Sequence, residues 1–313
     1  MEPANLKKGI HSRHFYFFLI LLYLLFVNIS CVSTSKTQLF DFEEAPCPAS
    51  YIPSETQLFW QKINNEGWAE YFSFENKEYP IKYHCVKIKL DHEGLSIITY
   101  PSSEKDFIKT DKNKTDFFTG ITAKKFSKKF MPEVSINTSP FGLQSKKLKK
   151  IALLSSKRKI IGLHLANREE ISAPIKKYGA IAFKKTDSGW QGKIIKSQLE
   201  NIEDYDFAFG GFFQILSGWK KEEFPRKSHD SRTALGLSED GKMLYILVVE
   251  GEKKSQSAGL SYQECSDIMI SLGASDAIQM DGGGSSSLYI AGKNMLSYNT
   301  SRICGVYLGF KKN

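Results

Sequence analysis

The sequence predicts an α+β fold: a strand-rich mixed sheet with few helices, containing a C-terminal hairpin plus a βαβ unit. Short runs of period two recur from Trp68 to Phe310, separated by Asp, Asn, Ser and Gly clusters, which is the pattern of half-buried strands and their turns. Helical spacing is confined to a few stretches, and no heptad, helical repeat or solenoid period is present. With 313 residues, 41% of them hydrophobic and 25% charged, the chain has the composition of a globular protein and length enough for a large core.

At the N-terminus, Lys7, Lys8 and Arg13 precede an apolar run at 15–27. That run is short of the roughly 20 residues a membrane span needs, and it reads as an export signal. Ser30-Cys31 resembles a bacterial lipoprotein cleavage site with Cys31 as the lipidated residue, although Asn28 stands where Leu is usual. An uncleaved signal anchor is the rival reading, since no charge occurs between Arg13 and Lys36. Both readings export the chain and hold it at a membrane. The expected plan is a signal at 1–31, a polar tether at 32–54 with Pro46, Pro48 and Pro53, and a globular domain at 55–313.

Within that domain, 55–65 predicts a short helix. Strands are expected at 68–74, 81–90 and 96–100, with Asp91-His92-Glu93-Gly94 turning between the last two. Residues 102–115 form a charged loop, and 119–130 an amphipathic helix with Ile121, Phe126 and Phe130 opposite lysines. A strand at 133–137 ends in Asn137, and further strands are expected at 151–155, 160–166, 178–184 and 192–195, with a hairpin turn at 186–189. In the run 207–216, Gly210-Gly211 signals a bulge or a close backbone approach. Strands at 287–290 and 303–310 close the domain.

The densest information lies at 231–288. Two β-rich runs, 232–237 and 243–249, flank an Asp240-Gly241 pair, a hairpin signal because both central turn residues are expected at positive φ. A two-residue turn there sets Arg232 opposite Val249. A helix follows, with Ser261 and Glu264 as capping box, Tyr262, Cys265, Ile268, Met269 and Leu272 on one face, and Gly273 at its end. The buried strand 277–280 then runs into Asp281 and three glycines. Strand, helix, strand makes 243–249 parallel to 277–280, so Glu250, Asp281 and Arg232 share one sheet edge. Ligands of open α/β sheets bind at such edges. The turn of Gly282, Gly283, Gly284 and Ser285 offers amides for an anion, and an arginine fork suits phosphate. A tight turn capped by Asp281 is the plain structural alternative.

Composition narrows the partners. Of the net charge of +9, residues 1–31 carry +2 (three basic, one acidic), leaving +7 for a membrane surface, an acidic glycan or a phosphate-bearing substrate. The lysines at 124–129 and 146–159 form a solvated face or one resting on anionic lipid; no nucleic-acid module accompanies them, and nucleic acid is excluded as a partner. Neither GxGxxG nor GxxxxGK[ST] occurs, which excludes dinucleotide and ATP enzymes. His84, His92, His164 and His229 lack ligand-like pairing and read as structural, with His229 the one to watch because it lies three residues before Arg232. Cys47, Cys85, Cys265 and Cys304 permit disulfides, but the last three sit in apolar runs that equally suit buried thiols. No cofactor is implied and no ligand spacing demands a metal; the Glu250/Asp281 edge leaves a divalent ion open.

The run SRTALG…LYILVVEG…GLSYQECSDIMISLGASDAIQMDGGGSSSL resembles the phosphodiester glycosidase family, specifically over 231–288 and more weakly across 68–313. Residues 134–137 with Phe141 resemble that family's strand ending in Asn-Gly-Gly-Tyr/Phe-Phe, 207–218 its Gly-Gly stretch, and Arg302 with Gly309-Phe310 its closing strand. Thr138-Ser139 replace the glycines after Asn137, and Asp230-Ser231 stand where Pro or a small residue is frequent.

The resemblance implies hydrolysis of the glycosidic bond in a sugar-1-phosphodiester of a cell-envelope or extracellular glycan; bacterial members are commonly exopolysaccharide-related. Arg232, with Thr233 beside it and the amides of 282–285, is then expected to hold the phosphate. Asp281 or Glu250 activates water or stabilises an oxocarbenium-like sugar. Asn137 and Arg302 add sugar or phosphate contacts. Three rivals keep the same sequence features: a phosphodiesterase cleaving the P–O bond, a non-catalytic lipoprotein binding anionic glycan, and a surface protein acting through its lysine face, whose binding would be salt-sensitive.

Overall fold

Met243–Val249 sits at the centre of the domain, and its alternation shows how the layers are divided. Leu244, Ile246 and Val248 point into one core cluster, whereas Leu247 and Val249 point into another. A strand apolar on both faces must be covered on both. One cover is the helix Tyr262–Leu272, which lays Cys265, Ile268 and Met269 on the second cluster. The other consists of the remaining sheets, which enclose the larger cluster. The computed structural model describes residues 51–54, 57–108, 117–143, 156–224 and 228–313. The expected signal, Cys31, Cys47, most of the tether and the strand at 151–155 fall outside the described residues.

The main sheet has eight strands in the order Gln61–Lys62, Ala69–Asn76, Ile81–Lys89, Met243–Val249, Arg232–Leu237, Asp276–Gln279, Gln214–Ser217 and Lys220–Lys221. The hairpin register sets Arg232 opposite Val249, as the Asp-Gly turn requires. Only Gly241 adopts positive φ, at 69°. Asp240 serves the turn through its carboxylate instead, accepting from the Ser238 hydroxyl and the Lys242 amide. Met243–Val249 and Asp276–Gln279 do run in the same direction, joined by the helix, but Arg232–Leu237 lies between them and is antiparallel to both.

A five-stranded sheet orders Glu169–Ser172, His164–Ala166, Phe207–Gly210, Ala180–Thr186 and Gly189–Ile195. A second orders Lys293–Asn294, Leu288–Ile290, Val134–Asn137, Tyr307–Lys312 and Leu95–Tyr100. The aromatic run at 207–216 is divided between two sheets, and Gly210-Gly211 is the crossing point. A Cβ at Gly210 would lie 2.9 Å from the Leu163 carbonyl oxygen, and one at Gly211 2.7 Å from that of Gln279. Likewise the expected strand 160–166 breaks at Gly162 (φ 93°) into Lys157–Ile160 and His164–Ala166.

Two helix expectations are corrected. In the described part of 55–65 only Gln57 is helical, as 3₁₀; Gln61–Lys62 pairs with Glu70 and Tyr71, so sheet pairing overrides local preference over the rest. The second helix is Ala123–Phe130, starting later than 119 because Phe117–Thr119 and Ile121–Thr122 are held in strands, and Thr122 caps it by accepting from the Lys125 amide. Cys85, Cys265 and Cys304 are buried free thiols.

One packing detail positions the site. The backbone of Ser231 runs between two glycines from distant parts of the chain. A Cβ on Gly251 would sit 2.5 Å from the Ser231 amide nitrogen, and one on Gly282 2.8 Å from its carbonyl oxygen. The glycines after Glu250 and Asp281 therefore let three segments meet at one sheet edge. Gly251→Ala is expected to lower stability by about 1–3 kcal/mol through overpacking against backbone that cannot rotate away. A urea midpoint unchanged from wild type would remove this account of the motif.

Candidate active site

Asp281 leaves the Asp276–Gln279 strand where its backbone is held from both sides. Its amide donates to the Thr138 carbonyl at 2.8 Å, and its own carbonyl accepts from Asn137 Nδ2 at 2.6 Å. Asn137, 1% exposed, also accepts through Oδ1 from the Thr233 hydroxyl at 3.1 Å and the Ser287 amide at 2.9 Å. Asn137 and Thr233 are thus positioning residues. Their polar groups tie three segments together, and neither lines the cleft as a sugar or phosphate contact.

The glycine turn is a short 3₁₀ segment, Gly283–Ser285. Its amides are largely used within the fold: Gly283 N–H donates to the Ser231 carbonyl, Ser285 N–H to Gly282, and Ser286 N–H to Gly283. This corrects the expectation that the amides of 282–285 cradle an anion, because a 3₁₀ turn consumes the donors that an open nest would leave free. What the turn supplies is proximity. Gly284 lies flat under the Arg302 guanidinium, where a Cβ would come within 2.8 Å of a terminal nitrogen.

Asp281, Ser285 and Arg302 line one cleft of about 360 Å³, walled by Pro140, Phe141, Leu143, Ile161, Tyr178 and Phe212. Burial pushes the Asp281 carboxyl up to about 6, against the Ser285 hydroxyl, the positive field of Arg302 and the Gly282 amide, which pull it down. Arg302 is exposed, and among the described residues its guanidinium donates no hydrogen bond within the fold. The cleft therefore combines a carboxylate titrating near neutrality, a hydroxyl, an available guanidinium fork and aromatic walls.

The other two expected site residues point elsewhere. Arg232 Nε donates to the Leu260 carbonyl at 2.9 Å and a terminal nitrogen to Ser228 at 2.7 Å, while the guanidinium stacks 4.6 Å over Tyr262. Its backbone reaches the shared edge, but its side chain is engaged as a structural clamp. Glu250 is 2% exposed, 2.7 Å from His84 Nε2, and accepts from both the amide and the hydroxyl of Ser297. His84 in turn meets the Tyr71 hydroxyl at 2.8 Å. Burial pushes the Glu250 carboxyl up, but the His84 and Ser297 hydrogen bonds outweigh it, and the net position is below the usual carboxylate range. His229 pairs with Glu264 at 2.9 Å, beside the capping box.

Because its value is depressed, Glu250 contributes stability that is present above its unfolded value of about 4.3 and is lost as pH falls through its folded value. Glu250→Gln is expected to cost about 1–3 kcal/mol at pH 7, with the gap from wild type closing in strong acid. Urea titrations at both pH values measure this; a gap that does not depend on pH would rule it out.

A larger cleft, of about 480 Å³, lies at the other end of the same strands, beside Ser238, Asp240 and Asp276. There the Asp240 and Asp276 carboxylates are already satisfied by the turn and by Gln214, Gly218 and Ser275. Sequence reasoning placed Asp281 and Arg302 among its candidates but missed Tyr178, which no motif marks, and Phe212, which follows Gly210-Gly211 without being singled out. Among the described residues, no group of three or more His, Cys, Asp or Glu is placed to hold a metal.

Comparison with known proteins defines the class first. The family pattern described as phosphodiester glycosidase matches residues 133–311, which span the Asn137, Asp281 and Arg302 segments. The chain belongs to the phosphodiester glycosidase family.

Solved structures share the fold at low identity. The catalytic domain of zebrafish N-acetylglucosamine-1-phosphodiester α-N-acetylglucosaminidase, auto-inhibited by its pro-peptide, has a TM-score of 0.57 at 13% identity, over 81% of this chain and 86% of that one. A hypothetical protein from Synechocystis gives 0.56 at 13% identity over 78% of this chain; the match spans only 62% of the Synechocystis chain. A Burkholderia pseudomallei protein described as exported gives 0.54 at 11% identity, over 74% of each chain. No functionally curated protein matches the sequence.

Proposed function

We propose that this protein hydrolyses the glycosidic C–O bond of a sugar-1-phosphodiester, as an exported protein held at a membrane by its N-terminal segment. The observation that carries this reading is the pairing, in one aromatic-walled cleft, of a carboxylate raised to about 6 with an arginine free to bind phosphate. Arg302 holds the phosphate as a planar fork, replacing the role first expected of Arg232. Asp281, mostly ionised at neutral pH, takes a proton from the attacking water as the water oxygen bonds to the anomeric carbon. The C–O bond breaks and the phosphate monoester departs with the electron pair. A phosphate leaves without strong protonation, so stabilising its charge matters more than a second acid. Phe141, Tyr178 and Phe212 pack the apolar face of the sugar ring.

The test is turnover of the methyl ester of N-acetylglucosamine 1-phosphate and related sugar-1-phosphodiesters in ¹⁸O-water. Label is expected in the released sugar. Label in the phosphate instead would make the protein a phosphodiesterase of the P–O bond. Absence of any turnover across such donors would leave a glycan-binding role.

A further inference from the structure

Beyond the cleft, partly exposed aromatic rings continue in a row. Tyr178 and Phe212 wall the cleft with centroids 5.1 Å apart, and Tyr178 meets Phe213 at 5.3 Å. Phe213 meets Phe224 at 5.7 Å, and Phe224 meets Tyr262 at 5.2 Å, under the Arg232 guanidinium. Each of these rings is half-buried. Phe212, Phe213 and Phe224 line a second hollow of about 190 Å³, which shares Phe212 with the first and is rimmed by Lys177, Gln214 and Glu223.

Two features separate this row from ordinary core. Phe224 and Tyr262 pack on the cluster beneath the helix, but Tyr178, Phe212 and Phe213 belong to none of the hydrophobic clusters of the described residues. A contiguous row of partly exposed rings outside the core is the kind of apolar surface that marks a ligand-binding groove. The row is also continuous with the cleft, and its rim mixes both charges with an amide. Such a surface stacks the C–H faces of sugar rings while its rim hydrogen-bonds hydroxyls; it lacks the single-sign charge that would select a polyanion.

We propose that Phe213 and Phe224 form a saccharide subsite, and that the substrate is an oligosaccharide or longer glycan extending from the scissile sugar-phosphodiester over Phe212 into this second hollow. The proposal rests on the hydrolase reading for the direction of the substrate, but the subsite itself can be probed without turnover. In the whole protein, saturation-transfer NMR with a phosphorylated tetrasaccharide is expected to show transfer to sugars remote from the phosphate, lost in Phe213→Ala and restored in Phe213→Trp. In kinetics, Phe213→Ala is expected to raise KM about tenfold for a sugar-1-phosphodiester with a tetrasaccharide aglycone, leaving kcat and all constants for the methyl aglycone unchanged.

If wild type cleaves methyl and tetrasaccharide donors equally well and no remote transfer appears, the subsite is overturned while the hydrolase reading stands. If neither donor is cleaved yet remote transfer depends on Phe213, the hydrolase reading fails and the saccharide site remains. A dimer in sedimentation that Phe213→Ala dissociates would show that a second copy covers the row, and would also overturn the proposal.

Discussion

Asp281→Asn is expected to lower kcat by about three orders of magnitude while leaving the fold intact, the range for loss of a positioned general base. Asparagine keeps the size of the side chain and can still accept from the Ser285 hydroxyl and the Gly282 amide, so the turn survives. What is lost is the ionisable oxygen pair. Because burial holds this carboxyl at about 6, the wild-type kcat/KM is expected to rise through that pH and to fall in acid as the base is protonated.

The same shift has the opposite sign for stability. A carboxyl raised in the folded state disfavours folding once it ionises, so the penalty is absent below the unfolded value of about 3.9 and complete above about 6. Asp281→Asn should therefore be more resistant to urea than wild type at pH 8, with the difference vanishing near pH 3. Activity and stability moving in opposite directions is the mark of a residue held in a costly state for its chemistry. Undiminished turnover in the variant would refute the assignment.

Arg302→Ala is expected to lower kcat/KM about 10²–10³-fold, the scale for removing one donor to developing charge. Arg232→Ala is expected to act differently. Its guanidinium bonds two backbone carbonyls and covers Tyr262, so its loss should lower the urea midpoint by the equivalent of about 1.5–3 kcal/mol and reduce activity chiefly through the folded fraction. Comparing the two variants at matched folded fraction decides between the arginines. If Arg232→Ala abolishes turnover in folded protein while Arg302→Ala is harmless, the phosphate role returns to Arg232.

This pair of arginines also shows where the sequence stopped being informative. Hairpin register, capping box and the close backbone approach at Gly210-Gly211 were legible because each follows from local backbone chemistry: a turn residue, a cap spacing, a missing Cβ. Those rules brought Arg232, Glu250 and Asp281 to one edge correctly as main chain. They say nothing of where a long side chain goes next. The Leu260 carbonyl and the Tyr262 ring that capture Arg232, and the Ser297 groups that capture Glu250, lie 28 to 47 residues away in sequence. Tyr178 carried no signal, and Phe212 only that of the Gly-Gly run around it, since an aromatic residue in a strand run reads as core until the neighbouring surface is known.

The second five-stranded sheet has a consequence for biogenesis. Tyr307–Lys312 is an inner strand there, flanked by Val134–Asn137 on one side and Leu95–Tyr100 on the other. Neither flanking strand can pair with its central neighbour until that strand has left the ribosome. The segment bearing Asn137, and through it the Asp281 loop, is therefore completed only after nearly the whole domain has been synthesised. Contacts of such long range form slowly, so this sheet is among the later parts of the domain to close. Under the export proposed above, an unfinished chain of this kind would suit threading through a channel, and the cleft would be completed only after the transfer.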